Sequence, residues 1–213
     1  MSKTYSVKEI YYTIQGEGAN TGRPAVFVRF SGCNLWSGRE EDRYKAVCKF
    51  CDTDFVGVDG INGGKFSDAK HLANTALKTA PNQNAKGLLL VCTGGEPLLQ
   101  LDEELVHEFK KHGFVVAVET NGTLPVPRNL DWICVSPKAG ADFVQKTGDE
   151  LKIVYPQEGI DPKVFEDLNF EHFFLQPMDN ENIKENTKQA IEYCLQNPKW
   201  RLSLQTHKII GIP

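Results

Sequence analysis

The chain has 213 residues, 40% hydrophobic and 24% charged, with a net charge of −4; that is room for one α/β domain with a full core over 1–213, and no Pro/Ser-rich linker divides it. The acidic balance, with no Lys/Arg run longer than two residues, excludes the electrostatic footprint of a nucleic-acid binder. The longest apolar runs, Gly87–Cys92 and Gly113–Val118, are too short to span a bilayer, and no signal-like apolar segment follows Met1–Tyr5, so the expectation is a soluble, cytoplasmic protein with small-molecule partners, no nucleic acid and no membrane.

Ala25–Phe30 is the first apolar, β-branched run that reads as a strand. It leads into Ser31-Gly32-Cys33 and the stretch Asn34–Val47, where Ser37 and Glu40 suit the cap of a short helix. Val58–Gly64 is a glycine-rich connection. Ala69, Leu72, Ala73, Ala76, Leu77 and Ala80 then fall at helical spacing. Leu88–Cys92 predicts the next strand. Asp102, Glu103 and Glu104 open a helix that Lys110, Lys111 and His112 close before Gly113, matching the helix dipole and a glycine C-cap. Strands follow at Phe114–Val118, Trp132–Val135 and Leu151–Tyr155, the last running into the proline-flanked connection Tyr155–Pro162. Phe173–Leu175 is a short strand, Ile183, Thr187, Ala190, Ile191, Cys194 and Leu195 mark a helix face, and Arg201–Leu204 closes the series. Strands alternating with helices predict a parallel sheet. Eight β/α units take about 250 residues, so about six parallel strands in 213 residues predict a partial, open β/α barrel.

The unusual residues cluster just after the strands: Ser31-Gly32-Cys33, Thr93-Gly94-Gly95-Glu96, Glu119-Thr120-Asn121-Gly122, Ser136-Pro137-Lys138, Gln176-Pro177-Met178-Asp179 and Gln205-Thr206-His207. The C-terminal ends of parallel strands share one face, so these segments are expected around one cavity. Three of the six cysteines, Cys33, Cys48 and Cys51, form a C-x14-C-x2-C pattern. Structural zinc and ordinary iron–sulfur clusters take four protein ligands, so three thiols imply a centre with one position left for another molecule. Cys92, Cys134 and Cys194 sit in apolar patterns and read as core residues. A zinc knuckle completed by His71 or Asp52, or three unrelated thiols, is the plainer alternative.

The cysteines after the first barrel strand and Gly94-Gly95-Glu96-Pro97 after the next resemble the radical S-adenosylmethionine superfamily. Within it, Tyr12-Thr13-Ile14-Gln15-Gly16-Glu17-Gly18, Phe27-Val28-Arg29-Phe30, Cys51-Asp52-Thr53 and Gln205-Thr206-His207-Lys208 resemble the 7-carboxy-7-deazaguanine synthase family, end to end. Most of the superfamily spaces its cysteines C-x3-C-x2-C, and the longer Asn34–Val47 interval here leaves the shape of that loop open.

The resemblance implies a 4Fe-4S cluster on Cys33, Cys48 and Cys51, with one iron free to chelate the amino and carboxylate groups of S-adenosylmethionine. It implies one-electron cleavage to a 5′-deoxyadenosyl radical, hydrogen abstraction at C6 of 6-carboxy-5,6,7,8-tetrahydropterin, and ring contraction to 7-carboxy-7-deazaguanine with release of ammonia, a step of queuosine biosynthesis. Gly95 is expected against the methionyl end of the cofactor and Glu96 at its ammonium group. Glu119, Ser136, Pro137, Lys138, Gln176, Pro177, Met178 and Asp179 are expected around its ribose and adenine. Ile14, Gln15, Gly16, Glu17, Arg29, Thr93, His207 and Pro213 are expected on the substrate, an arginine suiting a carboxylate and a glutamate the pterin N–H groups. Thr53 matches a threonine that meets Mg2+. A homodimer and an electron donor such as flavodoxin complete the implied set. A glycyl-radical-enzyme activase and a non-catalytic zinc-binding module are the rival functions.

Overall fold

The computed structural model describes residues 3–82 and 86–213. Nine strands form one sheet: β1 (Tyr5–Ile14), β2 (Pro24–Phe30), β3 (Gly64–Phe66), β4 (Leu89–Gly94), β5 (Val115–Thr120), β6 (Trp132–Val135), β7 (Thr147–Tyr155), β8 (Asn169–Pro177) and β9 (Trp200–Leu202). Their order is β3-β1-β2-β4-β5-β6-β7-β8-β9. From β2 to β9 every neighbouring pair is parallel, seven strands where about six are expected, while β1 and β3 add antiparallel to the β2 edge. β3 and β9 do not pair, so the barrel is open, as the chain length predicts.

Four α-helices accompany the sheet: α1 (Ala69–Thr79), α2 (Glu103–Lys111), α3 (Ile183–Gln196) and α4 (Thr206–Ile210). Asp68 and Asp102 cap α1 and α2, accepting from the N–H of His71 and Leu105. Leu72, Ala73 and Ala76 of α1 and Leu105, Val106 and Phe109 of α2 bury against Val26, Val28, Leu90, Cys92, Val116 and Val118 of the sheet. The alternate residues of the same strands face the barrel interior. That face begins apolar, with Ala25, Leu89, Val91 and Ala117 packed together, and ends polar, with Arg29, Thr93 and Glu119 at a cavity. Period-2 alternation thus supplies a helix-packed outer wall and an inner wall whose character changes along each strand.

α3 departs from its expected face. Asn186 and Ala190 are its buried residues, while Ile183, Ile191 and Leu195 are exposed, Leu195 by 78%. The helix is rotated because the Asn186 amide donates to Met178 O at 2.8 Å and to Asn180 Oδ1 at 2.9 Å. Those bonds satisfy a buried polar group that would otherwise cost more than the exposed apolar surface. The gap between β1 and the far strands is spanned by the segment after β1: Gly18 N donates to Ser203 Oγ, Ala19 N to Glu150 Oε2 and Thr206 N to Gly16 O.

Candidate active site

A cavity of about 450 Å3 opens at the C-terminal ends of the parallel strands. It gathers residues from all six expected strand-end segments, together with the segment after β1. Cys33, Cys48 and Cys51 line one side. Their loop has a small core of its own: Trp36, Ala46 and Phe55 are buried together, with Cys33 and Cys51 packed against them. Trp36 and Phe55 meet edge to face at 5.6 Å, and the Arg43 guanidinium lies 4.0 Å over Trp36. Arg43 Nη1 also donates to Lys49 O and Cys51 O, at 2.8 and 3.1 Å. The Asn34–Val47 interval is therefore folded around Trp36. Glu40–Lys45 forms the short 3-10 helix, but Ser37 caps no helical N–H: its hydroxyl donates to Asp42 and accepts from Arg39 N.

Cys33, Cys48 and Cys51 share the lining of one cavity. Among the described residues, no three His, Cys, Asp or Glu side chains converge closely enough to hold a single metal. Of the two residues that could complete a zinc knuckle, His71 lies away on α1 against Phe66, while Asp52 lines the same cavity as the cysteines and is paired with Lys208. The interaction between the Cys48 and Cys51 thiols lowers Cys51 and raises Cys48, and burial raises Cys33. Lys138 favours the ionised form of both Cys48 and Cys51.

Gly95 lets the β4 rim close on the cysteine loop, since a Cβ there would stand 2.2 Å from Gly32 O and 2.8 Å from Cys33 Cβ. Glu96 does not extend into the cavity. It is fully buried, accepting from Leu98 N and Thr120 Oγ1 on Oε1 and from Asn121 N on Oε2. The expectation that its carboxylate meets an ammonium group is corrected: three local donors engage it, joining the β4 and β5 rims. Pro137 is buried behind Ser136 and Lys138, which do line the cavity. Lys138 Nζ donates to Ser136 O and Oγ at 2.6 and 2.7 Å. Gln176, Pro177, Met178 and Asp179 form the adjoining wall.

The same cavity is lined by Ile14, Gln15, Gly16, Glu17, Arg29, Thr93, His207 and Pro213, and by Thr53, two residues past Cys51. Arg29 Nε donates to Glu9 Oε1 at 2.8 Å and Nη2 to Tyr11 Oη at 2.9 Å. The Tyr11 ring stacks on Phe27 at 5.3 Å with 9° between planes, adding a flat apolar face. Thr13 Oγ1 donates to Pro213 O at 3.2 Å. Lys208 Nζ bridges Asp52 and Asp179, 2.5 Å from each, so α4 is tied to both the cysteine loop and the segment after β8. Gly16 permits this docking, because a Cβ would stand 2.2 Å from His207 Nδ1.

Glu119, expected around the ribose and adenine of the cofactor, is bonded to Gln15 and Lys152 of this lining. Gln15 Nε2 donates to its Oε1 at 3.0 Å, and Lys152 Nζ donates to its Oε2 at 2.8 Å and to Glu17 Oε2 at 2.7 Å. Burial alone would raise Glu17, yet Lys152 and Gln205 bring it down to about 2. Burial raises Glu119, with Lys152 opposing and Glu17 and Glu150 reinforcing. Lys152, Glu9, Tyr11 and Phe27 are among the lining residues that sequence reasoning misses. The signal for Lys152 is a polar residue at every second position of a strand, as in Glu150-x-Lys152.

No family model matches the chain. Among curated proteins it is 59% identical over 210 residues to 7-carboxy-7-deazaguanine synthase of Caulobacter vibrioides, covering 99% of this chain and 100% of that one. It is 59% identical to the enzyme of the same name from Burkholderia multivorans, with the same coverage. The likeness to the Haemophilus influenzae enzyme is 32% over 222 residues, covering 98% of this chain and 94% of the other. Among solved structures, QueE from Escherichia coli superposes with a TM-score of 0.70 at 26% identity, over 94% of this chain and 93% of that one.

Proposed function

The chain belongs to the 7-carboxy-7-deazaguanine synthase family, and on that premise we propose how its cavity carries the reaction of a radical S-adenosylmethionine lyase, the conversion of 6-carboxy-5,6,7,8-tetrahydropterin to 7-carboxy-7-deazaguanine with release of ammonia. The observation that carries the reading is that the three thiols and Gln15, Glu17 and Arg29 line one cavity. A cluster centre alone would fit other members of the superfamily. The polar row adds a site for a small heterocycle, which an activase acting on a protein chain does not require.

Cys33, Cys48 and Cys51 are the residues to hold a 4Fe-4S cluster, and the backbone at Gly95 with Ser136, Lys138 and Gln176–Asp179 is the wall for S-adenosylmethionine. When bound, these groups supply a reducing electron and a 5′-deoxyadenosyl radical for hydrogen abstraction. The other lining residues bind and orient. Arg29, held by Glu9 and Tyr11, offers a fixed cation to the substrate carboxylate. Gln15, Glu17 and Glu119 present acceptors to pterin N–H groups, and Thr93 and His207 complete the polar lining. The Tyr11–Phe27 stack supplies a flat apolar face that limits water. The residues Ile14, Gly16 and Pro213 close the substrate side. A small hydrogen-bonded reactant fixed on three sides leaves one hydrogen positioned for transfer, which is the contribution that orientation makes to rate.

Thr53 suits Mg2+ through its hydroxyl, with waters and the substrate carboxylate as the remaining hard oxygen ligands. The whole chain serves as one catalytic unit, acting in the cytoplasm as a homodimer and reduced by a flavodoxin-like donor. The six free cysteines fit that reducing compartment, and among the described residues no helix is long and apolar enough to cross a membrane.

The test is anaerobic reconstitution with iron and sulfide, reduction, and incubation with S-adenosylmethionine and the carboxypterin, with products read by mass spectrometry. Formation of 7-carboxy-7-deazaguanine is the expected result. Cleavage of S-adenosylmethionine with the pterin untouched would refute the substrate assignment, and failure to assemble a cluster would refute the radical chemistry.

A further inference from the structure

We infer that Lys152 is a positioning residue for the pterin site, the single ammonium that holds Glu17 and Glu119 at the spacing and orientation in which both accept from the substrate. The inference rests on the proposed reading of that wall as the substrate site. Lys152 lies in β7, with its side chain only 4% exposed, and donates to one oxygen of each carboxylate at 2.7 and 2.8 Å. The second oxygen of each carries another donor: Gln205 Nε2 on Glu17 Oε1 at 2.9 Å, and Gln15 Nε2 on Glu119 Oε1 at 3.0 Å. Gln15 Oε1 in turn accepts Glu17 N at 3.1 Å. The result is one chain of bonds, Gln205, Glu17, Lys152, Glu119, Gln15, running from the segment after β9 across the open side of the barrel to the ends of β1 and β5.

In that chain Lys152 cannot be replaced by a neighbour. Among the described residues it is the only cation paired with either carboxylate. Glu150, 4.0 Å from the ammonium, adds a third negative group but is committed to Ala19 N and Cys134. Three carboxylates about one ammonium would repel in a medium of low dielectric if the cation were lost. Without Lys152 the two acceptors separate or one takes up a proton, and either change spoils a paired acceptor site. A carboxylate has lone pairs beyond those used here, so Glu17 and Glu119 remain able to accept from a ligand.

The experiment compares the reconstituted holoenzyme with Lys152→Met, Glu119→Gln and the double variant. Cluster iron and sulfide, S-adenosylmethionine cleavage without pterin, thermal midpoint, and KM and kcat for the carboxypterin are measured. Lys152→Met is expected to keep its cluster and its pterin-independent cleavage while KM rises roughly tenfold or more, the scale of a lost charge-assisted contact. The double variant removes the charge of Glu119 with that of Lys152 but leaves Glu17 without its cation, so its KM is expected to lie clearly above that of Glu119→Gln yet below the product of the two single shifts, because residues acting as one unit are non-additive. If Lys152→Met does not fold, the comparison of Glu119→Gln with the double variant decides. A KM for Lys152→Met within about twofold of wild type, or additive shifts in the cycle, would overturn the inference. Wild-type enzyme that cleaves S-adenosylmethionine but leaves the pterin untouched refutes the substrate reading instead, so the two failures are distinct.

Discussion

Arg29 and Glu9 face one another across the β1–β2 ladder, with Arg29 Nε donating to Glu9 Oε1 at 2.8 Å. The pairing fixes the plane of the guanidinium before any ligand arrives, and Tyr11 holds a second nitrogen. A pre-set fork costs less to engage with a carboxylate than a free side chain does. Arg29→Ala is therefore expected to keep full cluster content and to lower kcat/KM by about a hundredfold, the loss of two charge-assisted bonds. Glu9→Gln, which keeps the shape and removes the charge, is expected to cost about tenfold, chiefly in KM. Steady-state kinetics on reconstituted protein measure both. An arginine variant with an unchanged rate would move the substrate carboxylate elsewhere in the cavity.

The cysteines divide by where they sit. Cys48 is buried and lines the cavity beside Cys51, while Cys194, in α3, packs against the core around Leu151, Ala190 and Trp200 and does not line the cavity. Cys48→Ala is expected to abolish cluster assembly, read as iron and acid-labile sulfide per chain and as loss of brown colour. Cys194→Ala is expected to leave both at wild-type values and to lower stability by about 1 kcal/mol, the scale of a small cavity. A cluster retained in the Cys48 variant would assign the third thiol to another residue.

What the sequence discloses here follows from how each segment is buried. The parallel strands are legible because they are covered on both faces and read as apolar runs. The cysteines, Gly95 and Arg29 are legible through their motif and through their place at strand ends. β1 is not. Its register shifts between Val7 and Glu9, so buried Val7 is followed by buried Ile10, three residues on, and the period-2 signal breaks. The rotation of α3 is hidden for a different reason: its sequence carries two overlapping apolar faces, and hydrogen bonds of Asn186 to a distant segment choose between them. Lys152 is hidden because a charge in an apolar strand is legible only when its partners are known. They lie 135 and 33 residues away.

Glu96 carries a prediction that separates architecture from chemistry. Its carboxylate accepts from Leu98 N, Thr120 Oγ1 and Asn121 N in a fully buried setting. Glu96→Ala leaves those donors without an acceptor and is expected to cost about 3 kcal/mol, which lowers the melting temperature of a chain this size by about 6–12 °C. Glu96→Gln restores an acceptor for two of the three donors and places an N–H group near Asn121 N, so it is expected to fall between. Calorimetry on the two variants checks the order. A Glu96→Ala protein with wild-type stability but weak binding of S-adenosylmethionine would return the carboxylate to the cofactor.

His207 sets the expected response to acid. Burial lowers it below its ordinary 6.5, with Glu17 pulling upward and Lys208 downward. The folded site therefore favours the neutral imidazole. A group depressed in this way contributes fully to stability and binding above pH 6.5 and loses that contribution as pH falls through its folded value. kcat/KM for the carboxypterin is accordingly expected to hold between pH 8 and about 6.5 and to fall below it. Cluster absorbance, followed in parallel, separates this limb from loss of the cluster. Glu17, held down to about 2, stays ionised throughout the range. His207→Asn is expected to lower the plateau and flatten the acid limb. An acid limb that survives in the asparagine variant would point to Glu119, whose carboxyl is raised by burial, and would make that residue, instead of the imidazole, the proton-sensitive contact of the site.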